Sequence, residues 1–456
     1  MSTLDLHDTQ TTPSSPDVEE DVPIPLQEDI HAVVVSDVTD GLSFVCEEEP
    51  HMVKHLDALG YIPLHVGDKL GNEGQYEVVR KLGWSSSSSV GLRFVTGEPR
   101  AGDPRYMAIK VLNADATTRE LFKGSYELKV LLEMKQEWDV DHPGTSHCLK
   151  CHGAFYKDSV HGRHLCLAFT PCGSTLDGLL HEQPSGRFAL PVVKRFVKQT
   201  LQALNFLHTR VSAVHCDVKL SNLFVKIDTT NAVISEYLQE CPSECYPAHH
   251  FPDLWDGPII TVKSQPLPNF GLEPSLSNLD VYLSDFGGGT SALSLDTEHC
   301  TPLILEAPEQ ILECAWSTPV DIWAVGCMVF HSLTGSDVFE LYCTSRLDYV
   351  DVHLARIVEH VGPFPGSLLE RCGKRAEYFD DAGRLLKVAM PNGGTIGDRL
   401  DLALSGTLDK EDIQMTAAFV RRCLTIDPDE RPTAAQLLED QWFAPRRCML
   451  PCESAT

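Results

Sequence analysis

Residues 215–222 read His-Cys-Asp-Val-Lys-Leu-Ser-Asn, so a carboxylate, an ammonium and a carboxamide follow one histidine at short, fixed intervals. This set suits phosphoryl transfer, where catalysis is mostly positioning and charge stabilisation. Asp217 is placed to accept or orient the proton of an attacking hydroxyl. Asn222, five residues on, can turn back to hold a divalent cation. Lys219, between them, can neutralise a phosphoryl group in flight. Such an octapeptide also arises by chance in ordinary loops, so its weight depends on what precedes and follows it.

A lysine precedes it inside an apolar run, Met107-Ala108-Ile109-Lys110-Val111-Leu112. A buried ammonium is costly unless paired. The partner is expected on the next helical stretch, about 116–134, where Glu127 opens the most apolar part; Glu120 and Glu133 are the other candidates. After the octapeptide, Val281-Tyr282-Leu283 runs into Asp285-Phe286-Gly287, a strand followed by a carboxylate that can hold the metal with Asn222. Ala307-Pro308-Glu309 follows; Glu309 needs a buried cation, and Arg431 in Asp427-Pro428-Asp429-Glu430-Arg431-Pro432 is the natural one.

Other elements must hold these groups. Val78–Leu82 and Val90–Val95 read as strands joined by Gly83-Trp84-Ser85-Ser86-Ser87-Ser88-Ser89. A loop there can offer backbone N–H groups to phosphates. Taken alone it reads as a polyserine linker. Leu165–Phe169 is an apolar strand broken by Thr170-Pro171-Cys172-Gly173, a hinge whose backbone can meet a base. Val192, Phe196, Thr200, Leu204 and Leu207 recur at helical spacing and lead into the octapeptide. Ser317-Thr318-Pro319 starts a further apolar helix carrying Asp321, with Thr318 as its N-cap. Between Lys226 and Asp285, residues of about 228–278 hold little periodicity and read as a largely irregular surface insert.

The expected division is a disordered acidic tail (1–40) holding a Ser15-Pro16 pair, an extension (41–75), an N-terminal lobe with hinge (76–172), a C-terminal lobe (173–445) and a tail (446–456). The chain of 456 residues carries a net charge of −28, which disfavours tracking a nucleic-acid backbone and favours basic partners. The N-terminus lacks the basic and apolar regions of a signal peptide, and no apolar run is long enough for a membrane span. The 16 cysteines are therefore expected to be mostly reduced. Cys148-x-x-Cys151-His152 matches a haem-attachment string but lies in a strand context, and Cys241, Cys245, His249 and His250 have spacing unlike common zinc sites.

The ordered set Lys110, Glu127, His215–Asn222, Asp285–Gly287, Ala307–Glu309, Asp321 and Arg431 resembles the eukaryotic protein kinases over about 76–445. Tyr61-x-Pro63, Val66-Gly67-Asp68 and Val79-Arg80-Lys81-Leu82-Gly83-Trp84, with the insert, resemble the SR-protein kinases, and the insert is similar to that of fungal members. This resemblance implies an α+β bilobal kinase fold, β-rich then helical. It implies ATP and Mg2+ as cofactors, with Asp217 and Lys219 catalytic and Asn222 and Asp285 on the metal. Leu82, Gly83, Trp84, Ser85, Ser88, Val90, Ala108, Lys110, Glu127, Thr170 and Cys172 would meet ATP, and Glu309, Arg431 and Asp321 would be structural.

It further implies serine phosphorylation of Arg-Ser-rich proteins of the splicing-factor type by a monomer in cytoplasm or nucleus, without direct nucleic-acid or membrane binding. Departures point to the alternative, a pseudokinase or scaffold that binds arginine-rich partners. Ser85 replaces a glycine, Gly91 stands where tryptophan is usual, Pro302 replaces a threonine, and Glu306 holds an often basic position. Cys216 replaces the arginine that usually precedes the catalytic aspartate, which implies no need for activation-loop phosphorylation.

Overall fold

The computed structural model describes residues 22–23, 34–36, 43–45, 48–51, 60–96, 104–122, 127–250, 257–288, 290–291, 301–343, 346–388 and 393–444. Its N-terminal lobe is built on one antiparallel sheet. The strands are β1 (Lys69–Leu70), β2 (Tyr76–Ser85), β3 (Ser88–Val95), β4 (Tyr106–Leu112), β5 (Cys151–Ser159) and β6 (Gly162–Phe169). Their order is β1-β2-β3-β4-β6-β5. Side chains alternate between faces along each strand. On β4, Ile109 and Val111 join Ile62, Leu70 and Cys166 in a small outer core, which leaves Ala108 and Lys110 on the other face. β3 lies in register with β4 so that Val90 is opposite Lys110 and Leu92 opposite Ala108.

Of the helix expected over 116–134, the structure describes α1 (Ala114–Phe122) and α2 (Glu127–Gln136), with 123–126 outside the described residues.

The second lobe is helical. The spacing of α3 (Leu190–Phe206) buries Val193, Phe196, Val197, Leu201 and Leu204. It runs on into a π-turn, Leu207–Val211, that ends at Ser212 in the left-handed region (φ 57°). Its core partner α5 (Pro319–Thr334) is apolar all round and almost wholly buried, as a central helix must be. Thr318 is helical and makes no side-chain cap bond, so Pro319 at the first turn and Gly335 in the left-handed region (φ 70°) are what bound α5.

The insert is more ordered than its composition suggests. It contains α4 (Asn231–Glu240), capped by Thr230, which takes a bond from the Val233 N–H. Ile234, Tyr237, Leu238, Leu267 and Phe270 pack with Leu82, Leu92 and Tyr106 of the sheet. Arg80 lies 5.1 Å from the centre of the Tyr237 ring and donates to the Cys241 carbonyl. The segment then bonds β2, Gln265 N–H to Lys81 O at 2.9 Å, and the hinge, where Asn269 Oδ1 accepts from Ser174 N–H at 2.8 Å. Apolar residues spaced too irregularly for a periodicity test supply this docking face.

Within the stretch expected as a tail, Val22–Pro23 pairs with Tyr342–Cys343, and Val34–Ser36 pairs with Ser43–Val45. Ser15-Pro16 and residues 446–456 lie outside the described residues. Cys314 and Cys372 form a disulfide, a departure from the reduced state, while Cys148, Cys151, Cys241 and Cys245 are thiols. Among the described residues no three or more metal-ligating side chains cluster; the side chains of His249 and His250 lie outside them. Among those residues no helix is long and apolar enough to cross a membrane.

Candidate active site

Lys110 reaches down from β4 between the lobes. Its Nζ donates to Glu127 Oε1 at 2.9 Å and Oε2 at 3.0 Å, and to Asp285 Oδ1 at 2.7 Å. Glu127 can do this because it opens α2 on the helix's buried side; Glu120 instead accepts from the Leu128 N–H at 2.8 Å. The two carboxylates are not equivalent. Burial pushes Glu127 above the usual carboxylate range against the pull of Lys110. The Lys110 ammonium holds Asp285 below it. Lys110 is raised, because these two anions outweigh its burial. The lysine side chain is 14% exposed and that of Asp285 46%, so the triad opens on its aspartate side.

Asp285 sits on a left-handed backbone (φ 58°), a conformation that costs energy for a non-glycine residue and turns its carboxylate toward Lys110. Phe286, 1% exposed, anchors the turn by packing edge-on against His215, ring centres 5.4 Å apart. His215 Nε2 bonds the Ser284 carbonyl at 2.9 Å, and the Ser284 N–H donates to Asn222 O at 2.9 Å. The two loops are thus cross-tied. They leave adjacent antiparallel strands, Leu223–Val225 and Val281–Leu283.

Asp321 fixes the octapeptide from below. Its carboxylate accepts the N–H groups of His215 and Cys216, each at 2.8 Å, and meets His208 Nε2 at 2.8 Å. Both oxygens are therefore committed, and the backbone can hold Cys216 in the left-handed region (φ 67°). Next in the chain, Asp217 Oδ2 accepts from Asn222 Nδ2 at 2.8 Å, and Lys219 Nζ lies 3.4 Å away. Burial raises the Asp217 carboxyl above its ordinary range, with Lys219 opposing.

What is left unbonded tells what the cleft can take. Asp217 Oδ1 is buried without a hydrogen-bond partner among the described residues. Asn222 spends its Nδ2 on Asp217 and Asp285 its Oδ1 on Lys110, while among the described residues the side-chain Oδ1 of Asn222 and Oδ2 of Asp285 take no bond. Two hard oxygen donors facing one cleft fit magnesium. An orphan carboxylate oxygen beside them fits a hydroxyl donor.

The roof is a hairpin with Ser86 and Ser87 at its tip. Ser85 is paired with Ser88, Trp84 with Ser89, and Gly83 with Val90. Tyr61 OH donates to Ser85 O at 2.7 Å, Asn113 Nδ2 to Ser86 O at 3.1 Å, and Asn113 N–H to Ser87 O at 2.8 Å. Trp84 packs edge-on against Tyr61, ring centres 6.2 Å apart. The serine run is therefore a braced turn rather than a linker. At the hinge, Thr170 Oγ1 bonds His152 Nε2 at 2.9 Å, and Cys172 Sγ contacts Thr170 O at 3.5 Å. Ala108 lies on β4 two residues before Lys110, and Leu82 lies on β2 just before the turn.

Farther down, Arg431 grips Glu309 through Nη1–Oε1 at 2.7 Å and Nη2–Oε2 at 3.0 Å, both side chains fully buried. Sequence reasoning did not find His208, Thr301 or the bracing roles of Tyr61 and Asn113. Thr301 donates to Cys216 O at 2.8 Å and accepts from Gln310 Nε2 at 2.9 Å. No local pattern signals any of these, because each partner is distant in the chain or lies in a turn.

The protein kinase domain family matches residues 76–237 and 275–443, leaving the middle of the insert outside. A serine/threonine-protein kinase SRPK from Physarum polycephalum is 28% identical over 84% of this chain and 89% of its own length. The Schizosaccharomyces pombe protein kinase dsk1 is 22% identical over 89% of this chain and 87% of its own. The human dual specificity protein kinase CLK1 is 25% identical over 85% and 69%. With a β-sheet lobe, a helical lobe and an insert that splits the match in two, the chain belongs to the protein kinase family as an SRPK-like, ATP-dependent serine/threonine protein kinase.

Proposed function

We propose that this kinase phosphorylates serines in basic, Arg-Ser-rich proteins, with Asp217 as the group that orients the acceptor hydroxyl. The observation that carries the assignment of roles is the orphan Oδ1 of Asp217, buried beside the open oxygens of Asn222 and Asp285. ATP would supply the phosphoryl group, and magnesium would neutralise its oxygens. Asn222 and Asp285 are the residues to hold that ion. Lys110, kept in place by Glu127, is the cation for the phosphates, and Lys219 stands on the acceptor side. Leu82, Val90 and Ala108 would cover the base, Thr170 and Cys172 would offer hinge backbone, and the turn from Gly83 to Ser88, with Trp84 and Ser85, would cover the phosphates. Asp321, Glu309 and Arg431 hold the frame.

The acidic chain and the SRPK relative support the basic substrate. The test is labelled phosphate transfer from ATP·Mg to an Arg-Ser repeat peptide, with Lys110→Met and Asp285→Ala alongside. Transfer to serine that both substitutions remove is the expected result. Binding of the peptide without transfer to it, or to a general basic protein, would show a scaffold instead.

A further inference from the structure

One side chain of the insert grips the end of the hinge. Asn269 Oδ1 accepts the Ser174 N–H at 2.8 Å. The Ser174 hydroxyl meets both ends of the same carboxamide, 3.0 Å from Oδ1 and 2.9 Å from Nδ2. Asn269 thus spends its whole polar end on one residue. Ser174 is also fixed through its backbone. Its carbonyl accepts the Val225 N–H at 2.9 Å, and the neighbouring Gly173 N–H donates to Val225 O at 2.9 Å. Just before this pinned pair, the Cys172 N–H and carbonyl bond no backbone group among the described residues. They are the hinge groups left to meet a base.

Asn269 is itself firmly seated. Pro266 and Pro268 restrict the chain before it. Its neighbours Leu267, 3% exposed, and Phe270 pack with Leu82, Leu92 and Tyr106 of the sheet. The Phe270 carbonyl accepts the Asp228 N–H at 2.9 Å, and Gly271 turns the chain in the left-handed region (φ 78°). Four residues before Asn269, Gln265 is bonded to Lys81 of β2, so one short segment runs from the roof to the hinge. Asn269 also decides what can stand beside Ser174. A Cβ on Gly173 would lie 2.1 Å from Asn269 Oδ1 and 3.2 Å from its Cγ, so this close approach needs a glycine. A glycine loosens a hinge, because its torsions are the least restricted of any residue. The grip on Ser174 removes that freedom next to the groups that meet the base.

We propose that Asn269 is a positioning residue for the nucleotide, acting through Gly173 and Ser174 to hold the hinge backbone in register for the base of ATP. The inference rests on the reading that Thr170 and Cys172 offer hinge backbone to that base. It makes the insert part of the nucleotide site without any contact between the insert and ATP.

The experiment is calorimetric titration of the full chain with ATP·Mg, beside steady-state kinetics on a general basic protein, so that the Arg-Ser assignment does not enter. Asn269→Ala should weaken ATP binding and raise KM for ATP by about 3–10-fold, with kcat and the KM for the acceptor protein near native. Gly173→Ala should do the same, because its Cβ displaces Asn269 Oδ1. In the Asn269→Ala background that clash is gone, so the double variant should bind ATP no worse than Asn269→Ala alone. Native ATP affinity in Asn269→Ala overturns the proposal, as do additive losses in the double variant. A loss that falls equally on ATP, acceptor and kcat also overturns it, since a general scaffold role gives that pattern. Cys172→Pro, which removes the N–H offered to the base, separates this failure from that of the hinge reading. Weakened binding there with none in Asn269→Ala rejects the positioning role alone, and native binding in both rejects the hinge reading too. Should Asn269→Ala not fold, Ser174→Ala removes only the hydroxyl half of the grip. A rise in KM for ATP of about 2–3-fold then supports the role, and an unchanged KM rejects it.

Discussion

Two charged clusters, one inside the helical lobe and one between the lobes, are built on opposite principles. Glu309 and Arg431 are fully buried and fork to fork, and Arg431 also donates to the carbonyls of Pro319, Thr425 and Ile426. Nothing in that pair is left to bond. The Lys110–Glu127–Asp285 cluster, with Asp217 and Asn222 facing it, is half open and keeps unused acceptor oxygens. Saturation marks a structural pair, because every buried polar group is repaid locally. Incomplete satisfaction, maintained by a rigid surround, marks a place prepared for a ligand.

The contrast can be broken most forcefully in the cleft. Asp217→Asn should lower kcat by about 10²–10⁴-fold while leaving the unfolding midpoint near that of the native protein. Steady-state kinetics and denaturant melts on the same preparation check this, and normal activity would refute the role given to Asp217. Arg431→Met should do the reverse. It strands Glu309 without a partner at a cost of about 3–5 kcal/mol, read by urea unfolding.

Glu306 sharpens the comparison, since it is a buried carboxyl of an intermediate kind. It is pushed up to about 7 by burial, with Lys374 opposing. Its pKa is raised in the folded state relative to the ordinary 4.5, so the native state binds the extra proton between those values. Stability should therefore fall as pH rises from about 4.5 to 7 and stay low above that. Glu306→Gln should flatten this slope and stabilise the protein at pH 8 by at most about 3 kcal/mol, measured by unfolding across pH. An unchanged slope in the variant would remove Glu306 as its source. The smallest effect is expected at the roof. Tyr61→Phe deletes the bond to Ser85 O and should cost about 1 kcal/mol, with a modest rise in KM for ATP.

The sequence made the cleft legible because its chemistry is carried by residue type and order. Lys110 in an apolar strand, Glu127 at the head of an apolar helix and Asp285 after another strand each announce themselves locally. Glu309 and Arg431 could be paired on the argument that a buried carboxylate needs a cation. What stayed hidden depends on tertiary proximity. His208 reaches Asp321 only because α3 runs on into a π-turn. The serine run reads as a linker until Tyr61 and Asn113 are seen to brace it. Thr318 has the right chemistry for a cap, yet its helical backbone leaves its hydroxyl without that bond. Gly91 is intelligible only beside Arg93.

The insert carries one more consequence. Its chain leaves the helical lobe after Val225, lays Ile234, Leu267 and Phe270 against Leu92 and Tyr106 of the sheet, and returns at Val281. It is thus a noncovalent strap between the lobes, beside the covalent hinge at Thr170–Gly173. Trimming the protein to a minimal catalytic length would uncover an apolar floor beneath β2 and β3, turning a folded enzyme into a sticky one.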